Sequence, residues 1–330
     1  MSSSKAVQRP AFAIFEGYAV SSILASFQMS GLLEVLEDNG IGTAVITDRP
    51  SDEAALLRAS LRYLAQRLVV VDDAGTYRLT DYGRELSLDK GYLVWLVGGY
   101  GEPLRRMDAF LGAGKRYGVD YIRDGKWVAG GAALLGGKDV VPAAMELLGR
   151  LSFDQVLDLG CGNAKLLSAI CRKFGANGVG IDISPEACAD AVELIAANGL
   201  TGQVRVEQSD ASALGEIDAL ARTNLVVTFF LLHEILAKGR DRLVAYLTEM
   251  ADTLPSGAHL LIAEVEPAVD GRTDGQRFTP EFTFVHALMR QTLLPADDWV
   301  DVLTTSGFTV DSVQHNDMPG GILLLATKAG

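Results

Sequence analysis

The sequence is short of cysteine, histidine and basic charge. Three cysteines, Cys161, Cys171 and Cys188, form neither a disulfide framework nor a paired metal-ligand spacing. Lys and Arg total 29 against 42 Asp and Glu, a formal charge of −13. A surface that acidic repels a polyanion, which argues against general nucleic-acid binding. No uninterrupted stretch reaches the roughly 20 apolar residues that span a bilayer. The apolar run after MSSSKAVQRP is broken at Glu16, and no signal-cleavage site follows it. The expectation is a cytoplasmic chain with no membrane partner. Apolar residues are plentiful at 48%, enough for a sizeable core and against a disordered chain. A length of 330 residues predicts about two domains.

The sequence grammar changes near residue 150. Within 1–150, residues 11–38 show helical spacing of apolar side chains, with Gly31 as a break. Asp52 and Glu53 open a second helix, capped by Ser51, with Leu56, Leu57, Leu61, Leu64 and Leu68 predicted on its buried side. Two β-rich runs flank Asp72-Asp73-Ala74-Gly75, a hairpin signal. This order resembles a winged helix. Its recognition-helix candidate, 52–68, has only Arg58, Arg62 and Arg67 as bases, so dimerisation or a substrate lid is the expected role. Residues 91–150 read as helices interrupted by glycines, a connector lining a site.

From 151 to 330, short apolar strands alternate with helices of 10–15 residues. The pattern predicts an α/β fold with a mostly parallel sheet covered on both faces, and a closing strand pair as an antiparallel edge. LVVTFFLLHE is predicted as the fourth strand. The strongest motif is Val156-Leu157-Asp158-Leu159-Gly160-Cys161-Gly162. Gly160 and Gly162 let the backbone approach a ligand, with the next helix N-terminus facing it. The position of a third pyrophosphate-loop glycine holds Lys165, and Asp158 suits a cationic ligand group better than a pyrophosphate. Asp182 ends the second strand, where a carboxylate accepts from ribose hydroxyls; Asp210 follows the third, within reach of an adenine amino group.

These motifs resemble the cofactor site of class I S-adenosylmethionine-dependent methyltransferases. With the front half, the chain resembles small-molecule methyltransferases that dimerise through an N-terminal domain. The resemblance implies a Rossmann-like domain, S-adenosylmethionine as methyl donor, a small-molecule substrate and a homodimer. Of the four histidines, His259 and His315 read as structural. His233, joined to Glu234, falls at the ligand-binding sheet edge. His286 is either a buried helix residue with a satisfied hydrogen bond, or a partner that meets His233 and Glu234 over the cleft. In the second case two imidazoles and a carboxylate make a facial metal triad. The segment from Phe284 to Trp299, with His286, Met289, Leu294 and Pro295, resembles the metal-containing 2-oxo-acid C-methyltransferases, as does Glu102 to Met107. That likeness implies one divalent ion, iron or zinc, on His233, Glu234 and His286. It also implies C3-methylation of a 2-oxo acid through an enolate. Arg105 or Arg106 would pair with the substrate carboxylate. Tyr117 and Tyr121 either serve the cofactor or pack between the halves, and Phe229, Phe230, Phe282 and Met289 either shape an apolar pocket or belong to the core. Two alternatives stay open: metal-independent O-methylation with His233 as general base, and intramolecular alkylation by a cyclase or synthase on the same fold.

Overall fold

Gly31 adopts φ +74° between the helices Pro10–Met29 and Leu32–Asp38, the break that the sequence predicts. The computed structural model describes residues 9–268 and 279–330. It divides into two units, Met1–Leu135 and Gly136–Gly330. The sequence change near 150 follows that division by one helix, Val141–Leu148, which belongs to the second unit.

In the first unit, Val20, Leu24 and Phe27 of the first helix pack with Leu57, Leu61 and Leu64 of the helix Ser51–Gln66. The first helix is long and apolar enough, by length and composition, to cross a membrane. That qualifies the expectation from uninterrupted runs, because Glu16 and Gly17 interrupt the sequence without ending the helix. Ser51 is not a cap: it is the first helical residue, and Pro50 precedes it without a side-chain bond. Leu56 and Leu68 are exposed rather than buried. Leu56 lies off the stripe formed by Leu57, Leu61 and Leu64, and Leu68 sits past the helix end at φ +59°. Strands β1 (Ile41–Gly42), β2 (Val70–Asp73) and β3 (Thr76–Leu79) form a sheet in the order β1-β3-β2. The β2–β3 turn uses Ala74 and Gly75 at positive φ, with the Gly75 N–H donating to Asp72 Oδ1 at 2.9 Å. Helix, helix and hairpin therefore form as read. Two connector glycines serve close packing: a Cβ on Gly98 would meet the Trp127 ring, and one on Gly131 the Trp95 backbone.

The second unit is built on strands β4 (Gln155–Leu159), β5 (Asn177–Asp182), β6 (Val204–Gln208), β7 (Leu225–Phe229), β8 (His259–Val265), β9 (Phe308–His315) and β10 (Gly321–Lys328). Their order is β6-β5-β4-β7-β8-β10-β9. The first five are parallel, and β10 pairs antiparallel with both β8 and β9. Strand order reverses between β4 and β7, the place where an open α/β sheet leaves a crevice at its carboxyl edge. Leu157, Leu159, Val226, Leu260 and Ile262 from the strands and Trp299 and Val302 from the helix Ala296–Thr305 fill the core. The helix Lys165–Phe174 lies close on β5: a Cβ on Gly178 would approach Cys171 Sγ to 2.6 Å, and one on Gly180 would approach Cys161 Sγ equally. The fourth strand is shorter than predicted. It ends at Phe229, Phe230 turns at φ +57°, and His233 and Glu234 stand on the short helix Leu232–Leu236.

Candidate active site

The β4–helix loop is held open by residues in the left-handed region: Gly160 (φ +79°), Gly162 (φ +53°) and Ala164 (φ +57°). The N–H groups of Gly160 and Cys161 donate to the Ile181 carbonyl at 2.8 and 3.0 Å, tying the loop to β5. Asp182, at the end of β5, accepts from Gly162 N–H (2.8 Å, Oδ2) and from Ser184 N–H (2.9 Å, Oδ1). Each carboxylate oxygen keeps a second lone pair for a ligand hydroxyl. A Cβ on Gly162 would meet nothing within 4 Å, so the loop faces open space there. Asp158 is 3% exposed; burial first, and then the carboxylate of Asp182, push its pKa up to about 7. Two such carboxylates favour a ligand cation. Asp210 is exposed and held below the usual carboxylate range by Ser212, whose N–H donates to it at 2.8 Å. Ile183, next to Asp182, is 68% exposed and offers an apolar surface that sequence reading did not single out. The donor set fits a nucleoside carrying a cationic group.

The second cluster is centred on two buried imidazoles. His233 Nδ1–H donates to Glu264 Oε2 at 2.8 Å, and the His233 backbone N–H donates to Glu264 Oε1 at 3.2 Å. Glu264 lies in β8, one residue beyond the pairing of Ala263 with Phe229, and is 1% exposed. His286, on the helix Thr279–Leu288, donates Nδ1–H to the Phe282 carbonyl at 2.7 Å. The Phe282 ring stacks on it at 4.0 Å. The ring centroids of His233 and His286 are 4.9 Å apart at 81°. Each ring is thus anchored through Nδ1, one to a carboxylate and one to a backbone carbonyl, which fixes the orientation of both imidazoles. The sequence thus correctly placed His286 beside His233, and the satisfied hydrogen bond of the plainer reading is present too.

The expected triad would join the two imidazoles through Glu234, which stands next to His233 on the helix Leu232–Leu236. Glu234 follows His233 directly on a helix, so the two side chains leave about 100° apart. Among the described residues, no group of three His, Cys, Asp or Glu side chains is arranged to hold a metal ion. Two imidazoles with their Nδ1 atoms engaged nevertheless fit ion binding through Nε2, since such outer contacts orient metal-binding histidines. The acid that orients His233 is Glu264, which sequence reading missed. Its signal was a lone carboxylate inside LLIAEV, where burial of a charge requires a partner.

The remaining candidates lie in the first unit. Arg105 is exposed and paired with Glu102. Arg106 is half-buried, its guanidinium 5.1 Å from the Tyr121 ring centroid, and Phe110 meets the same ring edge-on at 5.7 Å. The Tyr117 hydroxyl accepts from Arg123 N–H at 3.4 Å. Among the structural histidines, His259 bonds Thr327 and His315 pairs with Glu266.

Residues 156–257 match the family model described as a methyltransferase domain. An indolepyruvate C-methyltransferase of Streptomyces griseus is 27% identical over 287 residues, covering 83% of this chain and 84% of that one. This chain is a class I S-adenosylmethionine-dependent methyltransferase. Solved structures share the methyltransferase's fold. An O-methyltransferase family protein from Burkholderia thailandensis has a TM-score of 0.63 at 16% identity, covering 98% of this chain and 99% of that one. The SAH-bound calicheamicin-biosynthesis methyltransferase CalO1 has a TM-score of 0.61 at 21% identity, covering 97% and 98%. S-adenosylmethionine is the cofactor of the methyltransferase, and the loop Asp158–Gly162 with Asp182 and Asp210 is the place whose donors fit it.

Proposed function

We propose that the methyltransferase transfers a methyl group to C3 of a 2-oxo acid, through an enolate. The observation that carries the reading is the pair of buried imidazoles, His233 and His286, each anchored through Nδ1 and with ring centroids 4.9 Å apart. The similarity to an indolepyruvate C-methyltransferase over most of both chains supports the same acceptor class. When bound, S-adenosylmethionine supplies an electrophilic methyl group. A divalent ion on Nε2 of His233 and His286 would supply Lewis-acid polarisation of the 2-oxo group. The chain's own part is orientation and charge. Glu264 fixes the His233 tautomer, and its carboxylate stabilises positive charge on that ring. Phe282 holds His286 in place by stacking and through its carbonyl.

A second reading is favoured by a specific observation. His233 with Glu264 is already a complete base and orienting acid. Nε2 of His233 would then take the proton of an acceptor hydroxyl, giving O-methylation. Metal analysis of the purified protein beside a panel of 2-oxo acids and phenols separates the two. The first reading expects about one metal equivalent and methylation of 2-oxo acids, with both lost in His286→Ala. Metal-independent phenol methylation that survives His286→Ala would replace it with the second.

A further inference from the structure

The fourth strand of the methyltransferase domain stops early because Phe230 turns the chain in the left-handed region, at φ +57°. A residue with a Cβ is sterically disfavoured there, and a bulky aromatic is a true outlier. The turn is pinned rather than loose: the Phe230 N–H donates to the Ala263 carbonyl at 2.9 Å. If only the turn mattered, glycine would make it without steric cost, and the helix carrying His233 would start in the same place. The strain is kept together with an aromatic ring, so the ring has a use.

Its surroundings say which. The neighbouring Leu231 takes the cofactor-loop side, since a Cβ built on Gly160 would lie 3.7 Å from its side chain. Phe230 is half-buried, packs edge-on to Phe229 with centroids 6.4 Å apart, and turns its ring toward Gly136, where a Cβ would come 3.9 Å from Cε2. The ring therefore stands at the carboxyl edge of β7, three residues before His233. Resting on the acceptor reading above, we infer that Phe230 is a specificity-determining residue. Its strained turn aims the ring as an apolar wall against which an aryl group of the acceptor packs while the reacting carbon stands at His233.

The experiment compares wild type with Phe230→Gly, Phe230→Leu and Phe230→Tyr. Each is assayed on an aryl-bearing and an alkyl-bearing 2-oxo acid, with cofactor affinity by calorimetry and thermal melting. The expected result for Phe230→Gly is a melting temperature at or above wild type and unchanged cofactor affinity. Its aryl-over-alkyl ratio of kcat/KM should fall roughly 3- to 10-fold through KM, the size of one lost aromatic contact. Phe230→Tyr should keep the ratio. Phe230→Leu, which retains a buried apolar side chain, should lose it and serves as the test if the glycine variant fails to fold. An unchanged ratio in Gly and Leu variants, or a loss confined to cofactor affinity, overturns the inference. If wild type methylates no 2-oxo acid, the acceptor reading has failed by itself; the ratio is then read on aryl- and alkyl-bearing hydroxyl acceptors, where constancy still overturns the role of Phe230.

Discussion

Glu264 accepts two hydrogen bonds from one residue, the ring and the backbone of His233, and so sets both the tautomer and the angle of the imidazole. Glu264→Gln keeps the shape and removes the charge. It is expected to lower kcat by about 10²-fold or more, the scale of a mispositioned acid–base group, while calorimetry finds cofactor affinity unchanged. Glu264→Asp should recover part of the rate. Asp158 makes a pH prediction. Its folded pKa of about 7 lies above the ordinary 3.8, so the folded state holds a proton that the unfolded state releases between those values. Its stabilising contribution is therefore fully present below about pH 4 and is lost as pH rises through about 7. Melting curves of the apo protein should show that decline, and Asp158→Asn should flatten it. Affinity for the cationic cofactor should run the other way, rising over the same interval as Asp158 ionises. At this scale the sequence disclosed the residues that sit in motifs, Asp158, Gly160, Gly162 and Asp182, and one pairing of distant residues, His233 with His286. It did not disclose Glu264, because which strand runs beside β7 is a matter of topology.

At the scale of elements, alternation of apolar strands with amphipathic helices made the second unit legible almost residue by residue. The helix Lys165–Phe174, of 10 residues, and the helix Arg240–Thr253, of 14, fall within the predicted range of helix lengths. The strand β7 was overextended because FFLL continues the apolar run of LVVT; a left-handed turn at an aromatic residue has no letter that announces it. Hidden glycine roles are similar. Gly180 reads as an ordinary strand residue, yet the helix Lys165–Phe174 and its loop close on β5 only because there is no side chain at that point. Gly180→Ala forces Cys161 Sγ aside and should cost roughly 1–3 kcal/mol by denaturant melts, with cofactor affinity falling as the loop shifts. Gly162→Ala meets open space instead. It should cost about 1–2 kcal/mol from its φ alone, with a larger loss in cofactor affinity where the methyl enters the ligand's room.

Across the whole molecule, the charge of −13 acts differently on the two ligands that the methyltransferase is proposed to bring together. A cationic cofactor is drawn to the edge that carries Asp158, Asp182 and Asp210, and this attraction is screened by salt. Calorimetric affinity for S-adenosylmethionine should weaken as ionic strength rises; an unchanged affinity would mean that the acidic edge contributes nothing. An anionic acceptor is repelled at long range and needs a local cation, which is one reason to test for an ion on His233 and His286. The atom that receives the methyl group separates the C-methylation and O-methylation readings. The most direct measurement is nuclear magnetic resonance of the product formed from isotopically labelled S-adenosylmethionine and an aryl-bearing 2-oxo acid. The labelled methyl is expected on carbon, coupled to the single proton left at C3, and is expected to be lost in Glu264→Gln. A labelled methyl on oxygen, or no product from any 2-oxo acid while a phenol is methylated, would contradict it.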